Sequence, residues 1–112
     1  MITVYEKPAC TTCKNLVKLL EENGIEFESI EYQVEGLTEP EIRDLLAKSG
    51  MTAAEALRMR EAGAKELKAA GATEDEIVAA MAERPVLLQR PFVVNGDRAV
   101  MARPVERALE IL

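Results

Sequence analysis

The chain contains no histidine and no tryptophan, and it has only two cysteines. Protein zinc sites are built mainly from cysteine and histidine, so four ligands could be collected here only with carboxylates or a second chain. We therefore expect no bound metal. Aromatic residues make up 4% of the sequence, which leaves leucine, valine, isoleucine, alanine and methionine to fill the core. A chain of 112 residues is long enough for one such core.

Long apolar runs and an excess of basic residues are also missing. No run approaches the roughly 20 apolar residues of a membrane-spanning helix, and Ile2–Tyr5 is too short for the apolar part of a signal peptide. The chain has 14 basic and 20 acidic residues, which gives a net charge of −6. Nucleic-acid binding depends on neutralising phosphates with Lys and Arg, so this balance is unfavourable for it. We expect a cytoplasmic monomer that contacts neither membrane nor nucleic acid.

The two cysteines, Cys10 and Cys13, stand where a short apolar run and a turn at Pro8 lead into an amphipathic segment. A cysteine at a helix N-terminus lies beside unpaired backbone N–H groups and the positive end of the helix dipole. Its pKa falls there, and the thiolate is the nucleophile. Residues i and i+3 share a helix face, so the two sulfurs could meet as a disulfide. In a cytoplasmic protein such a pair is more often catalytic or redox-sensing than structural.

The residue pattern predicts a strand, a helix and a strand, then a helical middle, then a hairpin and a closing helix. The predicted elements are strands at 2–5, 26–32, 92–94 and 98–102, and helices at about 11–23, after Thr38, from Thr52 to Arg60, at 61–71, after Thr73 and after Pro104. Thr52 and Thr73 each begin a capping box. In the closing helix Val105, Ala108, Leu109 and Leu112 follow the i, i+3, i+4, i+7 spacing.

This order of elements predicts the fold. The strand–helix–strand unit indicates a parallel pair with a right-handed crossover. Residues 1–112 are therefore predicted to form a single α/β domain of the thioredoxin or glutaredoxin type, a four-stranded mixed sheet with a helical insert at about 38–84. In such a domain a cis proline at the start of the third strand lies opposite the cysteine, and Pro91 is the candidate.

Four stretches of the chain carry a family resemblance. They are Ile2-Thr-Val-Tyr5 with Pro8-Ala-Cys10, the Arg58/Arg60 region, Pro85-Val-Leu-Leu-Gln-Arg90-Pro91, and Ala102-Arg103-Pro104 before Ile111-Leu112. Through them the sequence resembles the glutaredoxin-fold arsenate reductases and their relatives, the Spx-type regulators and the small glutathione-linked reductase-like proteins. The resemblance covers essentially the whole chain.

The resemblance implies that Cys10 attacks arsenate while three arginines hold the oxyanion. Arg90 and Arg103 match two of them, and the third is Arg58 or Arg60, depending on which relatives are compared. Guanidinium groups suit this task because they stay charged and present planar donors. The resemblance also implies that no cofactor is bound and that the reductant is glutathione with glutaredoxin, or thioredoxin.

Two positions depart from the reductase pattern. Glu6 stands where many of these enzymes have a histidine thought to help lower the cysteine pKa, and a carboxylate would oppose the thiolate. Cys13 is present where the single-cysteine enzymes usually have none, so either Cys13 or glutathione could resolve the Cys10 adduct. Two alternatives to arsenate reduction stay open: a general thiol-disulfide reductase, and a redox-sensing regulator that binds a protein such as RNA polymerase.

Overall fold

The computed structural model describes residues 2–112, which form one sheet surrounded by helices. The strands are β1 Ile2–Glu6, β2 Phe27–Glu31, β3 Phe92–Asn95 and β4 Arg98–Met101. The α-helices are α1 Thr11–Glu22, α2 Tyr32–Glu35, α3 Glu39–Ser49, α4 Ala64–Ala69 and α5 Glu74–Glu83, and two 3-10 helices span Pro85–Leu87 and Val105–Glu110. Among the described residues, no helix combines the length and apolarity that crossing a bilayer would demand.

The sheet has the strand order β2-β1-β3-β4. β1 and β2 are parallel and are joined through α1, whereas β3 is antiparallel to both β1 and β4. The tight turn between β3 and β4 contains Gly96 at a φ of +62°, a conformation that L side chains rarely adopt. The predicted four-stranded mixed sheet is therefore confirmed.

The two faces of the sheet carry separate apolar clusters, because side chains alternate between faces along a strand. On one face the paired residues Val4, Val93 and Val100 pack with α1 and the closing 3-10 helix. On the other face Phe92 packs with the apolar sides of α2, α3 and α5. The helical segment between β2 and β3 thus covers one face, and α1 covers the other.

Two predicted capping residues begin helices as expected. The Thr38 and Thr73 hydroxyls each accept a hydrogen bond from the backbone N–H three residues on. The side-chain carboxylates of the glutamates at those positions, in turn, accept a hydrogen bond from the threonine N–H. α3 then ends at Gly50, which adopts a left-handed conformation at φ +69°. These local signals sufficed to define α3 and the start of α5.

The segment after Thr52 was predicted as a helix through Arg60, and that prediction is wrong. The Thr52–Glu55 capping-box hydrogen bonds are present, but only a turn follows. The chain leaves the helical path because Leu57 pairs with Leu88 in an isolated antiparallel bridge. In addition, the Ala53 N–H donates a hydrogen bond to the Glu74 carboxylate at 2.6 Å. The next predicted helix, 61–71, is shorter than expected, at Ala64–Ala69.

Two further boundaries differ from the predictions. Tyr32 was assigned to the second strand, but it starts α2, with a fully buried side chain whose hydroxyl donates to the Leu88 carbonyl at 2.7 Å. The closing element is a 3-10 helix, which repeats every three residues. Accordingly Ala108 and Ile111 are buried, whereas Leu109 and Leu112, predicted to face the core, are 48% and 41% exposed.

Candidate active site

Cys10 is the N-cap residue of α1. Its N–H donates to the Lys7 carbonyl at 2.9 Å, and its own carbonyl accepts the N–H of Lys14 at 3.0 Å. The turn before the helix thus fixes the cysteine at the positive end of α1, with the sulfur partly exposed.

This position lowers the pKa of the Cys10 thiol to about 7. Burial alone would raise it, but hydrogen bonds from the backbone N–H and the thiol of Cys13, from Arg90 and from the Thr12 N–H favour the thiolate and outweigh burial. Near neutral pH about half of the Cys10 sulfur is therefore thiolate.

Cys13 lies one turn further into α1 and is fully buried. Burial raises the pKa of its thiol to about 12, and the nearby Cys10 and Glu6 raise it as well. Glu6 is 7% exposed and accepts a hydrogen bond from the Ser29 hydroxyl at 3.2 Å. Both cysteines are free thiols. The pair is thus asymmetric, with a reactive sulfur at the surface and a protonated one beneath it.

A cavity of about 270 Å³ opens beside Cys10. Cationic side chains line this cavity, although the net charge of the chain is −6. Its lining residues are Lys7, Ala9, Cys10, Thr11, Thr12, Arg58, Arg60, Arg90 and Arg103. The structure therefore brings the reactive cysteine and all four arginines singled out from the sequence to one cavity.

Arg90 is the most buried of these arginines, at 4% exposure. Its Nε and Nη1 atoms have no hydrogen-bond partner within residues 2–112. A buried guanidinium with unmade hydrogen bonds is costly unless an anion completes them. The peptide bond that follows, Arg90–Pro91, is cis, in keeping with the expectation for Pro91, and Arg103–Pro104 is cis as well.

Arg103 connects Arg90 to the cysteine. Its Nε donates to the Arg90 carbonyl at 2.6 Å, and its Nη2 lies 3.7 Å from the Cys10 sulfur as a hydrogen-bond donor. The guanidinium is therefore held by backbone at one edge and faces the Cys10 sulfur with the other.

Arg58 and Arg60 both line the cavity but differ in how they are held. Arg58 donates from Nη1 to the Gln89 side-chain oxygen at 2.7 Å, and its Nε lies 3.6 Å from the Glu61 carboxylate. Its side chain is 13% exposed. Arg60 is exposed. Sequence reasoning missed Gln89, because its partner Arg58 lies 31 positions earlier and no local pattern links the two.

These features define a class of protein, in which a thioredoxin-like sheet presents a low-pKa cysteine to a pocket of guanidinium groups suited to a small oxyanion. The model of the ArsC family matches residues 5–111. The chain belongs to the ArsC family.

Curated relatives and solved structures agree with this assignment. "Uncharacterized protein YfgD" of Escherichia coli is 36% identical over 99% of this chain and 96% of its own length. The arsenate reductase ArsI2 of Synechocystis is also 36% identical, over 100% of this chain and 81% of its own. The structure of an arsenate reductase from Vibrio cholerae superposes with a TM-score of 0.92 at 33% identity, covering 99% of this chain and 97% of that one.

Proposed function

We propose that this protein is an oxidoreductase that reduces arsenate to arsenite, with Cys10 as the nucleophile. The observation that carries the proposal is a cavity lined both by Cys10, whose pKa is about 7, and by Arg90, two of whose buried nitrogens have no hydrogen-bond partner in the described part of the chain. Arsenate is a tetrahedral oxyanion that can accept hydrogen bonds from several guanidinium groups at once. Arg103 and either Arg58 or Arg60 would bind its remaining oxygens.

The chemistry proceeds in two steps. The Cys10 thiolate attacks arsenic(V), an As–S bond forms, and one arsenate oxygen leaves as water after protonation. A second thiol then attacks the Cys10 sulfur. An S–S bond forms, the electron pair of the As–S bond passes to arsenic, and arsenic(III) leaves as arsenite. The two thiols are thereby oxidised to one disulfide, and glutaredoxin or thioredoxin reduces it.

The second thiol is Cys13 or glutathione. Cys13 is close to the Cys10 sulfur, but a buried thiol with a pKa of about 12 supplies almost no thiolate at neutral pH. We therefore favour glutathione as the attacking thiol. On this proposal the chain, 1–112, works as a single domain and as a monomer in the cytoplasm, where glutathione is available.

An NADPH-coupled assay of arsenate reduction tests the proposal, run in parallel with thioredoxin and with glutaredoxin plus glutathione. The wild-type protein should turn over, and Cys10→Ser should be inactive because a serine hydroxyl with no general base is a poor nucleophile. Turnover by Cys10→Ser would contradict the role of Cys10. Absence of turnover in both arms, with Cys10 still reactive, would favour the redox-sensing regulator.

Mass spectrometry of the oxidised protein distinguishes the two resolving thiols. If glutathione resolves, Cys10 carries a glutathione mixed disulfide and Cys13→Ser turns over nearly normally with glutathione and glutaredoxin. A Cys10–Cys13 disulfide, with stalled Cys13→Ser protein when thioredoxin is the reductant, would assign the step to Cys13.

A further inference from the structure

A short backbone ladder joins the helical insert to the stretch before Pro91. The Arg58 N–H donates to the Leu87 carbonyl, and the Gln89 N–H donates to the Ala56 carbonyl, both at 2.8 Å. Leu57 and Leu88 are the paired residues between these two bonds. The ladder sets Arg58 and Gln89 next to each other although they belong to distant parts of the sequence.

The Gln89 side-chain oxygen accepts two hydrogen bonds. One comes from Arg58 Nη1 at 2.7 Å and the other from the Arg90 backbone N–H at 3.3 Å. Both partners are donors, so only the oxygen of the amide, and not its NH₂ group, can face them. A single neutral oxygen therefore connects Arg58 to the backbone of Arg90.

Arg58 needs such a contact because its surroundings repel it. Burial lowers the pKa of Arg58, and the positive charges of Arg90 and Arg103 lower it further, while the charges of Cys10 and Glu61 offset part of this lowering. An unrestrained arginine in that position gains solvation and relieves repulsion by turning outward. Arg103 is restrained by the Arg90 carbonyl, whereas Arg60, on the same segment as Arg58, remains exposed.

We propose that Gln89 is a positioning residue that holds the Arg58 guanidinium at the anion cavity. This inference rests on the proposed function, which it deepens. Gln89 is a neutral acceptor, so it restrains Arg58 without adding a second negative charge to that of the Glu61 carboxylate, which lies 3.6 Å from Arg58 Nε. Preorganisation of this kind strengthens binding because the side-chain ordering is complete before the anion arrives.

A double-mutant cycle tests the proposal. Gln89→Met keeps the length of the side chain and removes the acceptor, and Gln33→Met is the matched control, since Gln33 is the other glutamine and does not line the cavity. Arsenate binding is measured by calorimetry in Cys10→Ser protein, where no reaction occurs. Gln89→Met should weaken binding roughly 3- to 10-fold, the range that corresponds to one hydrogen bond, and Gln33→Met should leave it unchanged.

In the Arg58→Ala background, Gln89→Met should have no further effect, because Gln89 acts through Arg58. In protein with Cys10 intact, Gln89→Met should raise KM and leave kcat nearly constant, since the Arg58 contact that Gln89 supports would be made to arsenate both before and during the reaction. A loss of folded protein alone would lower apparent kcat and leave KM unchanged. Equal losses with and without Arg58, or normal binding by Gln89→Met, would overturn the proposal.

One measurement needs no variant at Gln89. In wild-type protein without any anion, the NMR signal of the Arg58 Nε–H group should show a rigid side chain, and that of Arg60 a mobile one. Equal mobility of the two would also overturn the proposal. If wild-type protein binds no arsenate at all, the proposed function fails. The NMR measurement, made without any anion, still shows whether Arg58 is rigid.

Discussion

At the scale of single residues, the two cysteines differ because Cys10 caps α1 and Cys13 lies three positions later, inside the helix. Cys10 at the helix start is contacted by backbone N–H groups and by Arg90, and Cys13 inside the helix is buried. The sequence predicted the lowered pKa at the helix start, because the position of a cysteine relative to a helix N-terminus is visible from spacing alone. The pocket arginines were predicted only through the family resemblance, since their restraints come from distant carbonyl and amide groups.

Alkylation of the protein should follow a pH profile set by Cys10. Because its pKa is lowered to about 7, the rate of reaction with iodoacetamide should reach half of its maximum near pH 7 and fall about tenfold per unit below that. Cys13, with a pKa raised to about 12, should stay unmodified. Mass spectrometry after timed quenching identifies the modified residue. Arg90→Met should move the midpoint upward, and a wild-type midpoint above about 8.5, the ordinary cysteine value, would contradict the assignment.

The pocket arginines should each contribute to anion affinity. Arg90→Ala and Arg103→Ala are expected to weaken arsenate binding by roughly 1.5–3 kcal/mol, the scale of a hydrogen bond to a charged group. Lysine at either position should restore part of this loss, because it keeps the charge and loses the planar fork. Calorimetric titration of Cys10→Ser protein measures both series. Unchanged affinity in both alanine variants would place the anion elsewhere.

At the scale of elements, local sequence signals predicted the helix boundaries that are set by contacts between residues close in sequence. Thr38 and Thr73 begin helices, and Gly50 ends one, as their sequence patterns indicated. Thr52 makes the same capping hydrogen bonds but precedes only a turn, because pairing of Leu57 with Leu88 directs the chain away. That pairing joins residues far apart in sequence and cannot be derived from the local pattern.

The closing helix illustrates a different limit. Apolar residues at 105, 108, 109, 111 and 112 fit both an α-helical stripe and a three-residue repeat. The structure adopts the three-residue repeat and buries Ala108 and Ile111 against the Val93 face of the sheet. The choice depends on the available space beside α1, which tertiary packing determines.

The two capping threonines, Thr73 and Thr52, should therefore differ in how much each contributes to the free energy of unfolding. Thr73→Ala should lower the free energy of unfolding by about 1 kcal/mol, because it removes the N-cap of α5. Thr52→Ala should cost less, since no helix depends on it. Urea denaturation of the two variants, compared with wild type, measures the difference. Equal losses would show that the Thr52 turn is as important for stability as the α5 cap.

At the scale of the whole molecule, the site is assembled from parts that pack on opposite faces of the sheet. Cys10 belongs to α1, which packs on the Val93 face, whereas Arg58 belongs to the insert, which packs on the Phe92 face. Arg90 and Arg103 flank the β3–β4 hairpin in sequence and line the same cavity as Cys10 and Arg58. The cavity is therefore complete only while the insert remains docked through its ladder to Leu87 and Gln89.

Hydrogen exchange should report this docking. If arsenate binds the assembled site, as proposed, it should slow exchange of the Arg58 and Gln89 amides, which form the ladder. The Val4 amide in the central strand should change much less, because its exchange requires opening of the sheet. Deuterium uptake with and without arsenate in Cys10→Ser protein gives the comparison, and uniform slowing across the chain would argue against separate docking of the insert.

The placement of Arg58 on the insert also has an evolutionary consequence. Substitutions within 38–84 would change the part of the cavity that Arg58 and Arg60 line, while the backbone N–H groups of α1 that contact Cys10 would stay as they are. The part of the cavity that the insert lines can therefore vary separately from the α1 backbone contacts to Cys10, whereas Arg90 takes part in both the cavity and the contacts to Cys10. On the proposed function, exchange of the insert is the change by which a lineage, or a protein engineer, would alter the preferred oxyanion while keeping Cys10, Arg90 and Arg103.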